Sequence, residues 1–321
     1  MKTHLKKIAL LGLIALFISC NDDDGDSTTS QTITEIAAGN PNLTSLVAAL
    51  DRAGLTATLD GNTEYTVFAP TNAAFNSFLQ ANNFATLQDV PVPLLQQVLL
   101  NHVVSGEFTS GELSTGYVKT LGKGGASASN TLSMFVNTAN GVVLNGGTTN
   151  GGASVTTRDV QAKNGVVHIV DGVIGLPTVV NHAIANPNFS ILVQALTRAD
   201  QPDFVGILSG TANSPFTVFA PTDTAFGDLL TELNAPGLSA IAQATLEKTL
   251  KYHVVTGANV LSTSLSAGPV DTFAGEEFTV SLTDGAKITD ANARVSTITY
   301  TDVQASNGVI HVLNKVLLPS L

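Results

Sequence analysis

The chain carries one sequence plan twice. Thr66-Val-Phe-Ala-Pro-Thr-Asn-Ala-Ala-Phe75 returns as Thr217-Val-Phe-Ala-Pro-Thr-Asp-Thr-Ala-Phe226. The stretch from Thr32 to Ala53 matches that from Thr178 to Ala199, and Asn101-His-Val-Val-Ser-Gly106 matches Tyr252-His-Val-Val-Thr-Gly257. Asp159-Val-Gln-Ala-Lys-Asn-Gly-Val-Val-His168 matches Asp302-Val-Gln-Ala-Ser-Asn-Gly-Val-Ile-His311. The four blocks keep their order, at offsets of 146, 151, 151 and 143 residues. A period this long is a whole domain, because solenoid units run roughly 20–50 residues. Each copy must therefore close a core of its own.

Within a copy, helical spacing comes first and strand-like segments later. Ile33, Ile36, Ala37, Leu43, Leu46, Val47 and Leu50 recur at three- and four-residue intervals. Pro41 should split this pattern into two short helices, with Asn42 or Thr44 capping the second. Tyr65 to Ala69 reads as a strand ended by Pro70. The next helix has Phe75, Phe78 and Leu79 inward, with Thr71 or Asn72 as its cap; copy 2 repeats this with Asp223 capping and Phe226, Leu229 and Leu230 inward. Gly141 to Leu144, Val166 to Val170, Phe278 to Leu282 and Val309 to Leu313 read as strands. Gly122–Ser129 and Gly146–Gly152 read as turns or loops. Helices before strands indicate an α+β fold.

The Asn-Pro-Asn-Phe-Ser opening, the Thr-Val-Phe-Ala-Pro-Thr-Asp-x-Ala-Phe block, the His-Val-Val block and the Asn-Gly-Val-(Val/Ile)-His strand together resemble the fasciclin family. The resemblance spans roughly Gln31 to Leu321. It implies two tandem domains, each a β-sandwich-like wedge flanked by short helices, and a role among extracellular adhesion and matrix modules.

The first thirty residues read as an address. Lys2, Lys6 and Lys7 precede an apolar stretch from Ile8 to Ile18, too short to span a bilayer, which takes about 20 residues. It ends at Phe17-Ile-Ser-Cys20, which resembles a bacterial lipobox, with Phe17 where Leu is usual. Cys20 is the only cysteine. It is expected to carry the lipid that anchors the protein to a membrane, and it cannot form an internal disulfide. Residues 1–19 are then a lipoprotein signal peptide and 20–30 an acidic tether without apolar groups to bury. Asp22, Asp23 and Asp24 beside the anchor resemble the surface-export signal of Bacteroidetes lipoproteins, implying an outer-membrane protein facing the exterior. A calcium loop over these aspartates fails, because Ser27 stands where an EF-hand needs glycine. The domains follow as 31–176 and 177–321, with almost no linker between them, so their relative orientation should be restricted.

Net charge is −11, and loss of residues 1–19 takes three lysines and no acid, to −14. So acidic a chain is a poor nucleic-acid binder. Nucleophilic catalysis has no footing in a Gly-x-Ser-x-Gly elbow, and the glycine loops lack a phosphate-loop lysine. His102 with His253, and His168 with His311, are twins in apolar stretches. They read as core histidines needing hydrogen-bond partners, with Asn72 and Asp223 available to the first pair, rather than as metal ligands. No cofactor is implied. In animal fasciclin proteins a Tyr-His motif with flanking apolar residues is linked to adhesion. Its match here, Tyr252, His253, Val254 and Val255, is the candidate partner-binding site, present only in copy 2 because copy 1 has Asn101. The expected function is non-catalytic adhesion to a protein or glycan partner. The alternative is a glycan-binding accessory lipoprotein, which the absence of Trp and the four Tyr disfavour.

Overall fold

The structure is a computed structural model that describes residues 30–320. Copy 1 opens with α1 (Ile33–Gly39), α2 (Thr44–Ala53) and α3 (Thr56–Leu59), then β1 (Tyr65–Pro70), α4 (Asn72–Ala81) and α5 (Val92–Leu100). Strands follow: β2 (Val103–Ser105), β3 (Gly116–Gly124), β4 (Ser127–Asn137), β5 (Val143–Leu144), β6 (Ala153–Ala162) and β7 (Gly165–Val170). Copy 2 repeats the order with α6 (Val179–Ala185), α7 (Ser190–Leu196), α8 (Phe204–Ser209), β8 (Phe216–Pro221), α9 (Asp223–Glu232) and α10 (Gln243–Tyr252). It ends with β9 (Val254–Thr256), β10 (Gly268–Asp271), β11 (Glu277–Ser281), β12 (Lys287–Thr289), β13 (Val295–Ala305) and β14 (Gly308–Leu313). Each domain is thus α+β, with short helices against a strand-rich wedge.

The wedge is a sheet wrapped on itself. In copy 1 the strands pair in chain order from β1 to β7, and β7 closes the ring against β1. That closure is parallel, from Tyr65 opposite Gly165 to Pro70 opposite Val170. Copy 2 has the same parallel closure between β8 and β14. Its sheet opens between β9 and β10, where one backbone bond, Phe273 N to Val254 O at 2.7 Å, spans the gap.

Each sheet has a core on both faces, which explains why its central strands read as apolar runs rather than alternating ones. On β1, Val67 and Ala69 face the helices with Leu46, Leu50, Phe75 and Leu95. Phe68, between them, points into the ring with Met134, Val136, Leu144 and Ile174. On β8, Ala220 faces the helices and Phe219 joins Phe278, Val280 and Leu317 inside.

Pro41 does break the opening helix: a single 3-10 turn, Pro41–Leu43, separates α1 from α2. The expected cap on α2 is not there. Neither Asn42 nor Thr44 caps it; Asn72 does, from the start of α4, its Oδ1 accepting from Ser45 N at 2.8 Å and Thr44 Oγ1 at 3.2 Å. Asp223 does the same for α7 by accepting from Ile191 N at 2.7 Å. The caps of α4 and α9 are Thr71 and Thr222, each accepting from the amide three residues on.

Candidate functional site

The recurring polar residues are scaffolding. His102 donates from Nδ1 to Val98 O at 2.7 Å and accepts from Ile174 N at Nε2, 2.8 Å. His253 donates to Thr249 O at 2.8 Å and accepts from Leu317 N at 2.9 Å. A carbonyl can only accept and an amide only donate, so each ring is held in its Nδ1–H tautomer. The second pair is held the other way round. His168 Nδ1 accepts from Asp159 N and His168 Nε2 donates to Phe108 O at 2.9 Å; His311 does likewise with Asp302 N and Val260 O. The partners are backbone groups, not Asn72 and Asp223, whose carboxamide and carboxylate are spent on α2 and α7. Burial pushes His102 and His253 down to about 4 and lowers His311, so these imidazoles are neutral.

Other twins, not singled out by sequence reasoning, do comparable work. Asn164 in the β6–β7 turn accepts from Ile33 N and donates to Leu59 O and Gly61 O. Asn307 repeats this with Val179 N, Leu208 O and Gly210 O. Thr66 and Thr217 each bridge to the loop after the following strand, donating to Gly106 O and Ala258 O. Their appearance at matching places in both copies was the available signal.

The candidate partner-binding residues are not on the surface. Tyr252, 0% exposed, is packed edge-on against Phe278, and its hydroxyl donates to Glu277 O at 2.7 Å. His253 and Val254 are buried and Val255 is half-buried. Tyr252 closes α10 on the face that β11 covers, so its aromatic body and its polar tip are both satisfied inside the domain. Asn101, its twin, is equally buried, donating to Gly175 O and accepting from Thr120 Oγ1. Cys20, Asp22, Asp23 and Asp24 lie outside the described residues.

The groups that the structure does bring together lie along the seam between the copies. The β3–β4 hairpin of copy 1 leans on β13 of copy 2. Lys119 Nζ donates to Asp302 O at 2.7 Å and to Ser133 Oγ at 3.1 Å. Gln304 N donates to Ser133 Oγ at 3.0 Å, and Ala126 N to Ser306 O at 2.8 Å. Gly124 meets Ser306 so closely that a Cβ on it would lie 2.3 Å from the Ser306 Cα. Asn150 and Asn181 exchange hydrogen bonds, Asn150 Nδ2 to Asn181 O at 2.8 Å and Asn181 Nδ2 to Asn150 O at 3.1 Å.

At one end of the seam Tyr117 packs against Phe135, His182 and Tyr300, the last at 5.8 Å between ring centres. Tyr300 remains 47% exposed. His182 is wholly buried, and neither ring nitrogen has a hydrogen-bond partner. Burial pushes it down to about 4. Its twin in copy 1 is Ile36.

A second feature is an open cleft in copy 1, between α4, α5 and the loops that flank β6 and follow β7. Among the described residues no group of three or more His, Cys, Asp or Glu side chains is placed to hold a metal, and no helix is long and apolar enough to cross a membrane.

Comparison with known proteins follows the duplication. A family model described as fasciclin domain matches residues 41–177 and again 187–319. Protein sll1483 of Synechocystis sp. is 40% identical over 144 residues, which are 45% of this chain and 74% of that protein. Human periostin is 27% identical over 274 residues, 84% of this chain but 30% of periostin. Among solved structures, a domain pair from the insect cell adhesion molecule fasciclin I covers 84% of this chain and 92% of that one, at 23% identity and a TM-score of 0.49.

Proposed function

The chain belongs to the fasciclin domain family, in two tandem copies, and from that premise we propose a non-catalytic adhesion module that presents both domains as one rigid body. The seam carries this reading. Hydrogen bonds donated by Lys119, Ala126, Asn150 and Asn181, and one accepted by Ser133 from Gln304 N, fix the copies side by side. Two weak sites at a fixed separation gain avidity from a surface without either being tight. Of the exposed aromatics, Phe108 and Tyr300, the one better suited to meet a partner is Tyr300, more exposed and tilted against Tyr117, because tyrosine combines a large apolar face with a polar tip. It takes the place that the Tyr-His motif was expected to fill.

The reading includes the membrane address. The lysine-led apolar segment and Ser19 before Cys20 support a lipid anchor, and Asp22 to Asp24 support display outside the outer membrane. Mass spectrometry of the native N-terminus should find an acylated cysteine, and Cys20→Ala should release the protein from membranes. Retention of that variant, with no lipid on the wild type, overturns the anchor.

The binding test uses the soluble fragment from Ser30 on plates coated with collagen, fibronectin or extracted envelope material. Tyr300→Ala should weaken capture about tenfold, the size of an aromatic hot spot, while Tyr252→Phe leaves it unchanged. Equal capture by Tyr300→Ala and wild type removes the site. A second reading, glycan binding, is favoured by one observation, the polar-rimmed cleft in copy 1.

A further inference from the structure

Where the copies agree they build the scaffold, so a site peculiar to one copy is to be sought where they differ. One such difference lies along α4 towards its C-terminal end, and at the same place on its counterpart α9. In copy 2 this place is plugged. Arg294 reaches across it, Nη2 donating to Glu232 Oε2 at 2.8 Å and Nη1 to Val316 O at 2.9 Å and Asp290 Oδ2 at 3.2 Å. Asp290 in turn accepts from Leu318 N at 2.9 Å, and Asn292 ties down Leu318 O and Pro319 O.

Copy 1 has none of the plug. The offset of the helix blocks puts Ala81 where copy 2 has Glu232, and that of the last block puts Gly151 where it has Arg294. What is left is a cleft of about 710 Å³, within the roughly 300–1,000 Å³ of small-molecule sites. Its floor is apolar: Phe78 from α4, Leu94 and Val98 from α5, Val173 and Leu176 after β7. Its rim is polar: the Ser77 and Thr148 hydroxyls, the Asn82 carboxamide and the Asp171 carboxylate. Asn82 spends its amide on Phe78 O, leaving its carbonyl oxygen, and Asp171 spends Oδ1 on Ser154 N, leaving Oδ2.

We propose that this cleft binds a short uncharged saccharide. A pyranose ring has an apolar face of C–H groups for the Phe78 and leucine floor. It also has an edge of hydroxyls for a rim that offers a carboxylate and an amide carbonyl as acceptors, and two hydroxyls that both donate and accept. No Lys, Arg or His lines the cleft, so a phosphate or uronate finds no counter-charge there. A purely apolar ligand desolvates the two hydroxyls and the free oxygens of Asn82 and Asp171 without pairing them. The inference rests on the glycan reading and is independent of Tyr300 and the seam.

The test is titration of the fragment from Ser30 with cellobiose, maltose and N,N′-diacetylchitobiose, followed by amide chemical shifts and calorimetry. At least one should bind, with shifts confined to α4, α5 and the 148–152 and 171–176 segments. Ser77→Trp, on an exposed helix position, fills the cleft and should abolish binding. Asp171→Asn should weaken it about tenfold, the worth of one charge-assisted hydrogen bond. Asp228→Trp, at the matching place on α9, should change nothing. Saccharide binding that survives Ser77→Trp overturns the cleft while sparing the glycan reading. Absence of binding by all three sugars at millimolar concentration overturns both.

Discussion

Acid should destabilise this protein well above the range in which carboxylates titrate. Three imidazoles, His102, His182 and His253, are buried and pushed down to about 4, from an ordinary value near 6.5. The unfolded chain takes up a proton on each below pH 6.5, and the folded chain does so only near pH 4. Between those limits the unfolded state binds more protons, so stability falls as pH falls. For one such imidazole the loss from pH 7.5 to pH 5 is about 2 kcal/mol, and for all three in one transition about 6 kcal/mol. Carboxylates such as Asp60, Asp159 and Glu276, lowered by their hydrogen bonds, act mostly below this window, since stability tied to them starts to fall only near their ordinary values of 3.8 for Asp and 4.5 for Glu and is fully lost as pH drops through the depressed ones. The assay is urea unfolding of the fragment from Ser30 at pH 7.5 and 5.0. The slope against denaturant should hold constant and the midpoint should move. His182→Ile, which installs the residue that copy 1 has at that place, should remove at most about a third of the pH dependence, since the lowered His311 adds to it, without lowering stability at pH 7.5, since it deletes two unpaired ring nitrogens. A loss below about 1 kcal/mol between the two pH values, or an undiminished pH dependence in His182→Ile, refutes the reasoning.

Tyr252→Phe removes one buried hydroxyl bond to Glu277 O and should cost about 1 kcal/mol in urea unfolding. Asp223→Ala uncaps α7 from a distance and should cost about 1–2 kcal/mol, read as a lower midpoint with unchanged helix content elsewhere; an unchanged midpoint counts against the cap. Gly165→Ala places a Cβ 1.9 Å from Tyr65 O at a φ of +137°, and should prevent copy 1 from closing its sheet. Full protease resistance of that variant would show that the parallel closure is dispensable.

The sequence spoke most clearly where its message was local. Pro41 could be read as a helix break because proline removes a donor wherever it stands. Phe68 and Phe219 could be placed in strands by their β-branched neighbours. The α2 cap was missed because its acceptor, Asn72, lies beyond an intervening strand. Of the Gly122–Ser129 stretch read as a turn or loop, only Gly125 and Ala126 form the turn; the rest belongs to β3 and β4, hidden because Lys123-Gly-Gly-Ala-Ser-Ala-Ser-Asn130 lacks the alternation of a half-buried strand. Tyr252 was misplaced because a tyrosine ending an amphipathic helix has the same neighbours in sequence whether it faces solvent or β11. The seam was invisible for a related reason. Lys119 and Asp302, or Ser133 and Gln304, carry no mutual signature in one dimension, and only the docking of two finished domains makes them neighbours.

The parallel closure of each sheet bears on what a tether must survive. β1 and β7 are the first and last strands of copy 1, and they run side by side in register over six residues. Tension applied through the ends of the domain, once the leading helices give way, pulls these strands past each other lengthwise. The hydrogen bonds between them are then loaded together rather than unzipped one by one. β8 and β14 repeat the arrangement in copy 2. Under the proposed N-terminal anchoring, a load from a gripped partner meets a shear clamp in each domain, and the rate of rupture under force, rather than equilibrium stability, then governs how long the domains stay folded.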